Sequence, residues 1–179
     1  MLLRPARPAD FDALAALTNP YILETPIHFG TAPVTGDELR ADWEKSRDRH
    51  AFLVAEVDGG LAGYAKTSAF RTRAAYQWTA ETGIYVHRDH HRTGVGSALY
   101  RKLIEVSRAQ GFHTLVAGIT LPNPASVGLH EKLGFVAVAR FPEAGFKLDR
   151  WHDVGFWVLE LSPRGTPPRP LLPLEQVWT

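Results

Sequence analysis

The sequence predicts a single α/β domain built on a mixed central sheet, and three observations carry that prediction. The chain has 179 residues, a length that suits one domain with a substantial core. Strand-like runs alternate with helical stretches along its whole length, and neither a repeat nor an interdomain linker divides them. Two glycines one residue apart, Gly94 and Gly96, open an amphipathic helix directly after a strand-like run. Helix starts are usually capped by Ser, Thr, Asn or Asp, so glycines there point to a backbone that must approach something closely, and an anion is the natural partner.

Each element follows in order. "LLRPARPADFDALAAL" reads as a short strand and then a helix starting near Pro8, with Asp10 and Asp12 in its first turn. A second helix is expected from Thr35 or Gly36 to Asp48. "AFLVAEVDGGLAGYAKTSAF" holds two strands joined at Asp58-Gly59-Gly60, a hairpin signal. Another strand covers Trp78 to His87, with Gly83 inside it suggesting a bulge or a close backbone approach. The glycine-led helix runs from Gly94 to Gln110, with Val95, Leu99, Leu103 and Val106 on one face and Gly111 as its stop. "HTLVAGI" is a buried strand. In the helix of "NPASVGLHEKLGF", Asn123 is the cap, Gly134 the stop, and Ala125, Leu129 and Leu133 the core stripe. Strands are expected at Val136–Phe141 and Gly155–Leu161. Residues 1–162 are thus read as the domain. Residues 163–179, with five of the thirteen prolines, are read as an extended tail on the surface or on a partner subunit.

Composition narrows the function. A net charge of +1, with 45% hydrophobic and 22% charged residues, gives no sign of a nucleic-acid or membrane partner. No apolar run approaches a membrane span and no signal-peptide pattern is visible, so a cytoplasmic location is expected. With no cysteine, disulfides, Cys–zinc sites and acyl-cysteine intermediates are excluded. His87, His90 and His91 sit near one another, but the glycines follow at once and no HExxH pattern occurs. A polar loop rather than a metal site is expected there.

The glycine pair fits neither a Rossmann fingerprint, since Leu99 stands where a third glycine would be, nor a P-loop, since Ser97-Ala98 follows Gly96. His91-Arg92-Thr93-Gly94-Val95-Gly96 instead resembles the Gln/Arg-x-x-Gly-x-Gly/Ala signature of the GCN5-related N-acetyltransferases, with His91 replacing the first residue. "YQWTAETGIYV", "RTGVGSALY", "AQGF", "LPNPASVGLHEKLGF", "WHDVGFW" and "PPRPLLPLEQV" are similar to the phosphinothricin and methionine-sulfoximine acetyltransferase branch. The resemblance covers nearly the whole chain. It implies that fold, with a splayed cofactor-binding strand, and acetyl-CoA as co-substrate with no metal. It implies that backbone N–H groups of Arg92, Thr93, Gly94, Val95, Gly96 and Ser97 hold the pyrophosphate, that Ile84, Tyr85 and Val86 pair through their backbones with the pantetheine arm, and that Asn123 also contacts the cofactor. A homodimer is implied as well.

Acetyl transfer to an amine needs a neutral amine and a proton for the departing thiolate. With no cysteine, direct attack in a ternary complex is the economical route. Period-2 counting puts Glu81, Gly83 and Tyr85 on one strand face, and the resemblance implies Glu81 as the base. His130, seven residues from Asn123 and on its helix face, stands where many relatives carry a tyrosine acid, and serves as acid or base. For the acceptor, Arg71, Arg73 and Tyr76 precede the catalytic strand and suit carboxylate or tetrahedral oxygens, with Phe29 as an apolar wall. The implied acceptor is a small amino acid such as phosphinothricin or methionine sulfoximine. The alternatives are another amine, namely a free amino acid, an aminoglycoside or a protein N-terminus, or a non-catalytic acyl-CoA sensor.

Overall fold

The structure is a computed structural model and describes residues 1–178. Seven strands form one sheet: β1 (Leu2–Pro5), β2 (Phe52–Val57), β3 (Gly60–Ala69), β4 (Thr79–Val86), β5 (Thr114–Leu121), β6 (Val136–Lys147) and β7 (Arg150–Glu160). Their spatial order is β1-β2-β3-β4-β5-β7-β6. The β4–β5 pair is parallel and its neighbours are antiparallel, which makes the sheet mixed, as the sequence predicts. The connection between those two parallel strands is the glycine-led helix.

Helices α1 (Phe11–Glu24) and α2 (Gly36–Ser46) cover one face, and α3 (Val95–Gln110) covers the other; α4 is Pro124–Lys132 and α5 is Leu174–Val177. Each helix starts where its chemistry allows. Before α1, the Asp10 carboxylate accepts from the Arg7 N–H at 2.6 Å and from both Arg4 guanidinium nitrogens at 2.7 and 2.8 Å. At α2, Thr35 and Glu38 form a reciprocal capping box, with the Thr35 N–H on Glu38 Oε2 at 2.8 Å. Phe11, Leu14 and Leu17 of α1 pack on Phe52, Val54 and Tyr64. Leu99, Leu103 and Val106 of α3 pack on Leu53, Ala65 and Leu115. Each such large side chain stabilises the fold by about 1.5–3 kcal/mol on burial.

The last hairpin is longer than the sequence suggests. Pro142-Glu143-Ala144-Gly145 reads as a break, yet the pairing of β6 with β7 resumes beyond it after a register shift between Phe141 and Gly145. Asp153 makes this possible: its carboxylate accepts from the Glu143 N–H at 2.9 Å and from Arg140 Nε at 2.8 Å. Leu148 and Asp149, with φ of 51° and 57°, then close the hairpin. A long-range side-chain contact of this kind is invisible to local pattern. The "WHDVGFW" block is therefore strand, with His152 buried and its Nε2 on the Lys147 carbonyl at 3.0 Å.

The proline-rich end runs extended and ends in α5, lying against its own chain. Buried Gln110 accepts from the Leu172 N–H at 2.8 Å and donates to the Leu172 carbonyl at 3.1 Å, and Trp78 Nε1 donates to the Arg169 carbonyl at 2.7 Å. Among the described residues, no helix is long and apolar enough to cross a membrane.

Candidate active site

β4 and β5 stay paired for three residues and then part. Their ladder runs Thr79–Thr114, Ala80–Leu115, Glu81–Val116 and goes no further, while β4 remains paired with β3 up to Val86. From Thr82 onward, the β5-facing edge of β4 is therefore open. Gly83 causes no bulge: it pairs in regular register with Lys66, and the parting comes from β5 turning away. The fork opens a cleft of about 240 Å³ through the sheet. On the α1–α2 side its walls include Tyr64, Lys66, Ser68, Glu81 and Tyr85; on the α4 side they include Asn123, Ser126 and His130.

Glu81 sits at the point of the fork. Burial raises its carboxyl above the usual range, while the charge of Arg71 pulls it partly back. Its side chain has no hydrogen-bond partner among the described residues. A Cβ at Gly118 would lie 3.5 Å from Glu81 Oε1, so the glycine keeps the opposite lip of the fork clear for that carboxylate.

His130 is buried on the other side, and both its ring nitrogens are engaged. Nδ1 lies 2.7 Å from the Ser126 carbonyl, which can only accept, so Nδ1 carries the proton. In the neutral ring Nε2 then accepts from the Tyr100 hydroxyl, 2.8 Å away. Tyr100 in turn contacts Thr82 Oγ1, which lies 3.1 Å from the Val116 carbonyl. Burial lowers the His130 pKa, although its bond to Ser126 opposes that, and burial raises Tyr100 far above its ordinary value. The α4 stripe differs from the one expected: Ala125 is exposed, and Val127 and Leu133 pack on the core. A buried histidine with both nitrogens paired displaces the all-apolar arrangement.

The start of α3 lies beside the α4-side end of the cleft, with Gly96 next to Ile84 and Leu129. Arg92 and Gly94 both have positive φ, 63° and 93°, so the loop turns sharply before the helix. Space beyond Gly94 is open, whereas a Cβ on Gly96 would touch Val86 at 3.5 Å and Ile84 and Leu129 at 3.7 Å. The helical ladder begins with the Ala98 N–H on the Gly94 carbonyl at 3.0 Å, which leaves the N–H groups of Val95, Gly96 and Ser97 ahead of it. Thr93 Oγ1 closes the turn on the His90 carbonyl at 2.7 Å. His91 anchors the end of β4: the Tyr21 hydroxyl donates to the Val86 carbonyl, and His91 Nε2 lies 2.8 Å from that hydroxyl and 3.0 Å from that carbonyl.

The structure thus brings Glu81, Ile84, Tyr85, Asn123 and His130 to one cleft, with Gly96 against Ile84 and Val86. Arg71, Arg73 and Tyr76 line a neighbouring hollow of about 320 Å³ that meets the cleft at Ser68. Phe29 lies apart from both, over Gly145 and 6.4 Å from the His152 ring. Sequence reasoning missed Lys66, Ser68 and Tyr100. Strand alternation places the first two on the Glu81 face once the β3–β4 register is known, and Tyr100 looks like an ordinary aromatic of a core helix.

Comparison with known proteins agrees with this architecture. The profile of the acetyltransferase (GNAT) family matches residues 17–135. A phosphinothricin N-acetyltransferase from Streptomyces viridochromogenes is 44% identical over 175 residues, covering 98% of this chain and 95% of that protein. An L-methionine sulfoximine/L-methionine sulfone acetyltransferase from Salmonella typhimurium is 35% identical over 93% of this chain and 98% of its own. The crystal structure of a phosphinothricin acetyltransferase from Sinorhizobium meliloti in complex with acetyl-CoA superposes with a TM-score of 0.90 at 30% identity, covering 94% of this chain and 92% of that one. The chain belongs to the acetyltransferase (GNAT) family.

Proposed function

We propose that this chain is an acetyl-CoA-dependent N-acetyltransferase that acts on the amino group of a small amino acid such as phosphinothricin or methionine sulfoximine or sulfone. Direct transfer takes place with both substrates bound. The observation that carries this reading is the fork between β4 and β5, which opens the sheet beside a half-buried carboxylate. The family membership and the relatives described above support the acceptor class.

The residues present suit acetyl-CoA. The open β4 edge from Thr82 to Val86 offers backbone groups to an amide-bearing arm at Ile84, Tyr85 and Val86, the Val86 carbonyl itself being held by Tyr21 and His91. The free N–H groups at the α3 start suit a pyrophosphate held by residues Arg92 to Ser97. Asn123 caps α4 through Oδ1, which accepts from the Ser126 N–H at 3.1 Å, and its Nδ2 remains for the cofactor. When bound, acetyl-CoA supplies a thioester carbonyl.

Glu81 takes the proton that the acceptor's ammonium must lose. Burial makes its carboxylate a better proton acceptor near neutral pH than an exposed one. His130 is the second proton carrier. A proton arriving at Nε2 reverses the chain beyond it: Tyr100 then donates to Thr82, and Thr82 to the Val116 carbonyl. One proton thus enters or leaves with every polar atom still paired. Arg71, Arg73 and Tyr76 receive the polar end of the acceptor, and Phe29 backs the wall of the α1–α2 loop.

Residues 1–162 form the transferase domain in this reading and 163–179 the tail, whose described residues 163–178 run across it. Use of acetyl-CoA as donor supports a cytoplasmic location. A homodimer is supported by the edge strand β6 and its partner β7, which expose Val138, Phe141, Phe146 and Trp151 together. Acetyl-CoA turnover with a panel of amines, read by thiol release, tests the whole proposal. No release with phosphinothricin, methionine sulfoximine or methionine sulfone overturns the acceptor assignment.

A further inference from the structure

Lys66 is a cation with no anion of its own. It lies on β3 opposite Gly83, between Tyr64 opposite Tyr85 and Ser68 opposite Glu81, so all six residues share the sheet face that lines the cleft. Its Cγ would sit 4.0 Å from a Cβ at Gly83; the missing side chain makes room for the lysine stem. The ammonium lies 5.7 Å from the centroid of the Phe52 ring and has no ion-pair or hydrogen-bond partner among the described residues. Asp42 is the acid that acts on it from a distance, and that carboxylate is engaged by Lys45 at 3.0 Å. Lys147 shows the contrast: it is more deeply buried than the half-buried Lys66, yet its ammonium donates to the Ile22 and His28 carbonyls.

A partly desolvated, unpaired cation in a substrate cleft favours a bound anion. Directly opposed residues in an antiparallel pair lie about 5 Å apart and diagonal ones about 7–8 Å apart, and Lys66 is diagonal to Glu81. By swinging from the Phe52 ring, opposite it on β2, toward β4, the flexible Lys66 stem can bring its ammonium to an oxyanion of an amino acid that offers its amine to Glu81.

We propose that Lys66 binds an oxyanion of the acceptor and so makes the enzyme selective for amines that carry one. The inference rests on the acceptor reading above and extends it from a family of substrates to a named contact. The test uses Lys66→Met, which keeps the volume without the charge, and Lys66→Arg. The acceptors are phosphinothricin, methionine sulfone and the α-amide of methionine sulfone, which has no anion. Lys66→Met is expected to raise the acceptor KM on the order of 10- to 100-fold for the anionic acceptors. The KM values for acetyl-CoA and for the amide should not change, and Lys66→Arg should recover part of the loss. A loss seen with both anionic acceptors assigns the carboxylate, and a loss with phosphinothricin alone assigns the phosphinate.

A parent-like acceptor KM in Lys66→Met, or an equal rise for the amide, overturns the inference. The parent enzyme reads the acceptor class separately. If it prefers a different anionic amine, the acceptor reading fails and the Lys66 comparison is made with that amine. If it acetylates only amines without an anion, the Lys66 inference falls as well.

Discussion

The two ends of the cleft are built in different ways. The end at α3 comes from one contiguous stretch, residues 91–97, and it presents backbone: a sharp turn through Arg92 and Gly94, then N–H groups ahead of the helical ladder. The opposite end comes from β3, β4 and the hollow beside them, and it presents side chains: Glu81, Lys66, Ser68 and Arg71. A backbone site tolerates changes of side chain as long as the turn survives. A side-chain site changes its preference with every substitution. In the function proposed above, this difference separates a constant cosubstrate from an acceptor that varies among relatives.

The sharpest way to break this division is at Glu81. Glu81→Gln should lower turnover by about 10²–10⁴-fold while acetyl-CoA affinity, measured by calorimetry, stays at the parent value. A fall in cofactor affinity of similar size would mean that the two ends are not separate. The pH profile carries the same test. A base works when ionised, so activity is present above its pKa and is lost as pH falls through it. Because burial raises the Glu81 pKa, the acid limb of kcat should lie above the ordinary glutamate range, and Glu81→Gln should abolish it.

At the backbone end, Gly94→Val should weaken acetyl-CoA by on the order of 10²-fold, the loss of one or two phosphate contacts at about 1.5–3 kcal/mol each. The cause is conformational: a β-branched residue is strained at φ 93°. Gly96→Ala should be mild, since its Cβ meets Val86 at 3.5 Å, whereas Gly96→Val should crowd Ile84 and Leu129. Equal cofactor affinity in a folded Gly94→Val protein would remove the phosphate from this loop.

Arg71→Gln should raise the acceptor KM by about 10-fold or more and leave that of acetyl-CoA alone. The charge of Arg71 lowers the Glu81 pKa, so its removal should also move the acid limb of the rate profile to higher pH. Arg73→Gln should share the KM effect without the pH effect. An unmoved limb in Arg71→Gln would disconnect the hollow from the base.

The smallest effect on either end is expected at Tyr100, which lines neither but holds His130 Nε2 at 2.8 Å, so any change in turnover should come through His130. Tyr100→Phe leaves His130 Nε2 unpaired in a buried site, which costs about 1–3 kcal/mol. For a chain of this size that lowers Tm by roughly 3–10 °C, readable by calorimetry.

Much of this was legible locally. The Thr35 cap, the Asp58-Gly59 turn, the stop at Gly111 and the glycine start of α3 all depend on residues within a few positions of one another. Of the bulge or close backbone approach expected at Gly83, the bulge was not found, because a glycine in a strand can equally make room for a neighbour's side chain, here the stem of Lys66. The β6–β7 hairpin looked shorter than it is because its irregular segment is held by Asp153, ten residues away from Glu143.

By itself the sequence determined the elements, the order in which they occur and the backbone site at α3, since these follow from short-range sterics and hydrogen bonding. Its motifs also carried the family, and with it the choice of Glu81 and His130 as the candidates proposed above. Tertiary structure alone decided where β5 leaves β4, that Lys66 and Ser68 face the same cleft as Glu81, that Tyr100 bridges Thr82 to His130, and that Arg71, Arg73, Tyr76 and Phe29 lie outside that cleft. The physical reason is range. A cap or turn is settled by its neighbours in the chain, whereas a side chain's partner across a sheet depends on register and burial, which exist only once distant segments have packed together.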